Sequence, residues 1–277
     1  MLYYSALHNE ESVVLTIIAI TLVLGAVVGF LAGLLGIGGG LIVVPVLLML
    51  LPGFDIVAPE QAIVVAIATS LASIIFTATS SVLAHHRWGN VPWATATAIM
   101  VGAAAGAWLV AYLAHYISPG VLQMLFGIAV LILALRMLGS RSAIGKKQLP
   151  GASYLAIISA GLGGVASLLG IGGGALFVPM LNYYSVDMRR AIGCAAASGI
   201  AIAAFGSLGY VVAGWQHYQL AQGFIGYIYL PALLGIVCTS AFTAPLGAKL
   251  TQRLPVLTIK RVFGILLLLI AAKMILS

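Results

Sequence analysis

Apolar residues run along this chain in long stretches with no polar face. Six of them, 61–84, 91–114, 120–138, 190–213, 220–248 and 256–276, each hold about the 20 residues that a helix needs to cross a hydrocarbon core. Lipid offers no partner for backbone N–H and C=O groups, so runs that are apolar on every side are expected to be helices. Two shorter patterns differ. A first apolar leg (13–35 and again 151–169) meets a glycine run, and a return leg of eleven residues follows (41–51 and 175–185). Eleven residues rise only about 16 Å, half of a core roughly 30 Å thick. Each pair of legs is therefore expected to be a helical hairpin whose glycine run lies near mid-depth. The stretch from Val13 is too long for a signal-peptide core and has no basic region before it. It reads as a retained membrane segment behind an external segment, 1–12.

The two hairpins are copies. Residues 29–47 (GFLAGLLGIGGGLIVVPVL) and 163–181 (GGVASLLGIGGGALFVPML) match at 12 of 19 positions with an offset of 134. Upstream, Gly25, Gly29 and Gly33 are spaced by four, as are Ser159, Gly163 and Ser167. Such ladders of small residues let helix backbones approach closely. Downstream, Gln61-Ala62-Ile63 aligns with Arg190-Ala191-Ile192, and Leu125-Phe126-Gly127-Ile128 with Val262-Phe263-Gly264-Ile265. The expected organisation is a first membrane repeat (13–138), a polar linker (139–150) and a second membrane repeat (151–277).

Composition excludes whole classes of function. Of 277 residues 63% are hydrophobic and only 6% charged, against about 25% charged in a soluble domain. A soluble enzyme and a nucleic-acid binder are ruled out, and the lipid bilayer becomes the first partner. The net charge of +7 is then a matter of orientation. With the N-terminus outside and each hairpin returning to its own side, Arg87, Arg136, Arg141, Lys146, Lys147, Arg189, Arg190, Lys249, Arg253, Lys260 and Arg261 all fall inside. Only Lys273, of 12 basic residues, falls outside. If each hairpin were a single span instead, six of the eleven would move out. The positive-inside rule thus selects repeats of opposite orientation, an arrangement found in secondary transporters. The fold expected is an all-α polytopic membrane protein of two inverted-topology repeats, each a glycine-broken helical hairpin plus three transmembrane helices, with both termini outside. Cys194 and Cys238 lie in apolar runs without metal-ligand spacing and read as buried packing residues.

The glycine runs carry the candidate chemistry. A helix starting near Gly40 or Gly174 leaves its first N–H groups unbonded and points the positive end of its dipole into the protein. Glycine allows an anion close to those N–H groups. Two such helix starts, one from each side, would hold a small anion without a buried Lys or Arg. The candidate substrate-binding residues are Gly36, Gly38, Gly39, Gly40 and Pro45 in the first hairpin. Their counterparts are Gly170, Gly172, Gly173, Gly174 and Pro179. The alternative for any one run is that its glycines only permit close helix crossing. A phosphate-loop reading fails because no GK[ST] follows. Among the hydroxyls, Thr69, Ser70 and Ser198 are added because they align across the repeat; otherwise such groups bond back to the helix carbonyl one turn before. His85, His86 and Arg87 form a basic inner turn with a topological role. No charged residue stands at the middle of a span, which argues against a buried carboxylate relay.

The doubled GLLGIGGG…P element in a chain of this length resembles the TauE/SafE sulfite exporter family, also called the 4-toluene sulfonate uptake permease family. The resemblance covers both halves; Ser167 replaces the glycine that stands at Gly33 in the first copy. It implies prokaryotic plasma-membrane transport, with export expected, of sulfite or an organosulfonate, with no cofactor, metal or catalytic residue. Transport of another small anion is an alternative. So is a non-transporting scaffold or sensor, though the 12-residue linker offers no partner domain. An intramembrane hydrolase using Ser198 and His217 is disfavoured, because Ala196 stands where a rhomboid-like serine wants glycine.

The charge asymmetry makes a direct prediction. A single cysteine placed at Ser142, in the linker, should stay unlabelled by an impermeant thiol reagent in intact cells and react once the membrane is opened. Efficient labelling of intact cells contradicts the inverted arrangement.

Overall fold

The computed structural model describes residues 2–36, 38–139, 147–251 and 256–276; the side chains of 2–11, 35, 115, 251, 256–262 and 275–276 lie outside that description. Most of the 139–150 linker, and Ile37 of the first glycine run, are likewise outside it.

Ten helices follow one another in the described residues: α1 Leu2–Leu35, α2 Gly40–Gly53, α3 Pro59–Arg87, α4 Trp93–Leu113, α5 Pro119–Gly139, α6 Ala152–Leu168, α7 Gly174–Tyr183, α8 Met188–Gly214, α9 Leu230–Thr251 and α10 Val256–Leu276. Six are long and apolar enough to cross a membrane: α1 over Ser12–Leu34, α3, α4, α5, α8 and α9 over Leu230–Leu250. The chain is a multi-pass helical membrane protein. Helix starts carry the expected local signals. Pro59 opens α3, where its missing N–H costs nothing. Asp187 caps α8 by accepting the Arg189 N–H at 3.0 Å.

Helices α3 and α8 form the centre. Their apolar stretches are 83% and 78% buried, against 28–33% for α1, α4, α5 and α9. The outer helices turn large apolar side chains such as Val23, Val101, Ile157 and Phe242 outward, as lipid contact requires. Helix α1 packs along α9, α4 along α6 and α8, α3 along α8 and α9, and α5 along α10; α2 lies on α3 and α7 on α8. Exchanging α1–α5 with α6–α10 maps these pairings onto one another. The match extends to residues. A Cβ on Gly29 would strike Ser240, and one on Gly163 would strike Ala103; Gly33 abuts Ala244, and the Ser167 hydroxyl donates to the Ala107 carbonyl at 3.1 Å. The small-residue ladders thus set both α1 on α9 and α6 on α4.

Two expectations need correction. The run 220–248 is not helical from its start. A 3-10 turn, Leu220–Gln222, leads into a two-stranded hairpin, β1 Phe224–Ile225 and β2 Ile228–Tyr229, before α9 begins. Gly223 at φ 81° and Gly226 at φ 56° break the helix where hydrophobicity alone does not. The fold therefore holds a small antiparallel element and is not wholly α. Cys194 is buried as expected, but Cys238 is exposed on α9.

Close packing at the ladder makes stability sensitive to one carbon. Gly33→Ala and Gly106→Ala would push a methyl group onto the carbonyl oxygens of Ala244 and Ala160. Each should cost about 1–3 kcal/mol and lower the melting temperature in detergent. Gly120→Ala, which meets nothing within 4 Å, should leave it unchanged.

Candidate functional site

The two glycine turns meet. A Cβ on Gly38 would stand 2.9 Å from the Gly172 Cα, and one on Gly40 would overlap the Gly170 carbonyl oxygen. Backbone touches backbone, which only residues without side chains permit. The turns are not identical. Gly36, Gly38 and Gly39 take φ of 68°, 74° and 82°, and Gly170 takes 62°, whereas Gly173 sits at φ −61° in ordinary helical space. Gly173 is needed for room instead, since a Cβ there would meet Ser198 Oγ and, at 2.6 Å, the Ala195 carbonyl oxygen.

Helix α3 holds both turns. Ser70 Oγ donates to the Gly170 carbonyl at 2.8 Å, and Thr77 Oγ1 lies 3.5 Å from the Gly38 carbonyl oxygen. These residues are seven apart, about 10 Å along the helix, and they bracket the middle of α3. The Ser70 hydroxyl satisfies a turn carbonyl that would otherwise be buried unpaired, at a cost of about 1–3 kcal/mol. Thr69 serves another element: its Oγ1 accepts the Tyr229 N–H at 3.0 Å and ties β2 to α3. Ser198 donates back to the Ala195 carbonyl at 2.8 Å while facing Gly173.

Helices α2 and α7 both start at these turns, and neither has a side-chain cap. Their ladders begin with Ile42 and Leu176 donating to the Gly39 and Gly173 carbonyls, so the preceding N–H groups fall outside them. Both starts are buried. Pro45 and Pro179 sit in the second turn rather than the first, so the Leu41 and Ala175 carbonyls lose their usual donor four residues on. Pro45 also lines a cavity of about 400 Å³ between α2, α5 and α10, where Gln123 and Lys273 are the polar groups. All the predicted site residues are buried except Pro179, which is half-buried. Among the described residues no cluster of His, Cys, Asp or Glu could hold a metal ion.

The family model for the sulfite exporter TauE/SafE matches residues 21–274. The chain belongs to the TauE/SafE sulfite exporter family. A "Probable membrane transporter protein" of Haemophilus influenzae is 38% identical over 95% of this chain and 99% of its own length. Relatives with the same designation from Methanocaldococcus jannaschii (26% identical; 87% of this chain, 88% of its own) and Bacillus subtilis (27%; 92% and 96%) are more distant. No solved structure matches the chain. Like its relatives, this TauE/SafE member is a membrane transporter.

Sequence comparison of the halves missed Thr77 and His85, because Gly206 and Gly214 stand at the equivalent places. His85 is fully buried with Nε2 3.2 Å from the Gly33 carbonyl oxygen. Its place four residues beyond Ser81 and eight beyond Thr77, on the same helix face, was the available signal.

The Ser70 contact is testable apart from transport. Ser70→Ala leaves the Gly170 carbonyl unpaired and should cost about 1–3 kcal/mol of stability. Thermal unfolding in detergent checks it; an unchanged midpoint contradicts a holding role for this hydroxyl.

Proposed function

We propose that this protein is a secondary transporter that exports a small sulfur-containing anion, sulfite or an organosulfonate, across a prokaryotic plasma membrane, binding it between the glycine-rich starts of α2 and α7. The observation that carries this reading is that two buried, uncapped helix starts, those of α2 and α7, follow glycine turns that touch one another beside α3. Each start contributes about half a positive charge in a region of low dielectric, where no side-chain cation competes for the anion. Oriented backbone N–H groups suit an oxyanion, whose several oxygens accept hydrogen bonds at once.

The inverted orientation of the halves is part of the proposal. It is supported by the 11-to-1 division of basic residues and by the exchange of equivalent helix pairings between α1–α5 and α6–α10. Inverted halves allow alternating access by rocking about a fixed central site. Both termini are then external and the linker cytoplasmic. The family description favours sulfite; another small anion is the second candidate, because helix starts read charge and size before identity.

Flux of radiolabelled sulfite into proteoliposomes, with sulfonates, sulfate and amines as competitors, tests the reading. Sulfite or a sulfonate should be carried and amines should not compete. Gly39→Val and Gly173→Val should each weaken anion binding roughly tenfold to a hundredfold, the loss of one or more charge-assisted hydrogen bonds. Gly29→Ala, on the packing ladder, should change stability more than binding. If only one of the two valine variants loses binding while both fold, the anion is held by a single hairpin.

A further inference from the structure

Along α3, Ser70, Ser73, Thr77, Ser81 and His85 recur at intervals of three and four residues and so share one face. All five are at most 1% exposed. The first three are bonded: Ser70 to Gly170, Ser73 to the Ser70 carbonyl at 2.7 Å, and Thr77 to carbonyls of its own helix at 3.3 Å. The last two differ. Ser81 Oγ and His85 Nδ1 are buried and have no hydrogen-bond partner among the described residues. Other buried polar atoms lack a partner too, Asn90, Ser159, Asn182, Ser207, Tyr210 and Ser240 among them, but Ser81 and His85 stand on successive turns of one face of α3.

We propose that Ser81 and His85 form a second station, between the glycine turns and the Arg87 end of α3, where the transported oxyanion is held together with a proton on His85 Nδ1. The proposal rests on the anion-transporter reading above. The imidazole fixes its own polarity: a carbonyl oxygen only accepts, so the nitrogen facing Gly33, Nε2, carries hydrogen. Nδ1 then shows an anion a lone pair when the ring is neutral and an N–H when it is protonated. That N–H and the Ser81 O–H are then two donors one turn apart, about 6 Å along the same face of the helix. A buried imidazole is charged only when a neighbouring anion offsets its desolvation, so proton and anion would enter this place together. The N–H bond forms at Nδ1 as the anion arrives and breaks as it departs, with water as source and acceptor of the proton. Nothing is oxidised or reduced, and proton and anion move in the same direction.

The surrounding charges leave this role to the anion. Helices α1 and α2 have no titratable group over 12–34 and 40–53. At the same end stand His86 and Arg87 on α3, Arg136 on α5, Arg189 and Arg190 on α8, and Lys249 on α9, all exposed. The carboxylate there, Asp187, is exposed and caps α8. Cys194 and Tyr210 on α8 are buried. The other half offers a partial counterpart. Tyr210 lies 129 residues beyond Ser81, fully buried and with its hydroxyl unpartnered, while Gly214 stands in place of His85. A hydroxyl station thus exists in both halves and a proton-carrying one in the first alone.

Calorimetric titration of the purified full chain with sulfite and with methanesulfonate, at pH 6 and pH 8, tests the station. Comparing wild type with His85→Gln for the same probe cancels any titration of the probe itself. From pH 6 to pH 8 the wild-type affinity should fall about tenfold more than that of His85→Gln does. His85→Gln should lose about tenfold at pH 6, and Ser81→Ala should weaken binding about tenfold while keeping the pH dependence. Ser81→Ala removes an unpartnered hydroxyl and keeps the test decisive should His85→Gln fail to fold. If either folded variant binds as wild type does at both pH values, Ser81 and His85 are not a station, and the anion-transporter reading stands without it. If wild type binds neither probe, that reading falls and the station with it.

Discussion

Two broken hairpins meet backbone to backbone at the middle of this protein, in surroundings where water cannot relieve an unpaired peptide group. Every nearby choice of residue answers to that contact. Gly38 against Gly172 and Gly40 against Gly170 exclude side chains from the crossing. The carbonyl of Gly170 then needs a donor, and Ser70 on α3 supplies it. Because α3 must reach both turns, it is the most deeply buried helix of the six long ones and carries hydroxyls through its centre.

The outer helices are fixed by a different means. Between lipid-exposed helices there is no hydrophobic gain from association, so close van der Waals approach must hold them. The ladder from Gly25 to Gly33 lets α1 lie on the backbone of α9 at Ile236, Ser240 and Ala244, and its counterpart lets α6 lie on α4. Each ladder joins a helix of one half to a helix of the other. The halves are thus interlocked, with each hairpin's first leg clasped by the opposite half, and the two glycine turns are brought together as a consequence.

The same frame separates holding from transport. Thr69 and Ser70 are neighbours in sequence, yet one ties down the β-hairpin and the other a glycine turn. These bonds are internal and leave the uncapped starts of α2 and α7 as the electropositive feature at the crossing. Unbonded groups on the two central helices include Ser81 and His85 on α3 and Ser207 and Tyr210 on α8.

Periodicity and self-similarity in the sequence by themselves determined the spans, the two related hairpins, the small-residue ladders and the membrane class. Those features depend on which residues lipid accepts and on how many residues cross it. The family was legible for the same reason, since the glycine-proline element is a local backbone requirement written twice. Tertiary structure alone decided which face of each helix met which partner. Adjacent helical residues point about 100° apart, so the aligned pair Thr69-Ser70 could not reveal that only Ser70 reaches Gly170. It also decided that Gly173 is present for room beside Ser198 rather than for a left-handed turn, because identical glycine runs can meet different neighbours. The hairpin at 224–229 escaped the apolar pattern since hydrophobicity does not distinguish a buried strand from a buried helix. His85 reads in sequence as part of a basic surface turn. Its complete burial arises from α1, which passes close enough to place the Gly33 carbonyl against the ring, and no local signal encodes a contact made across 52 residues.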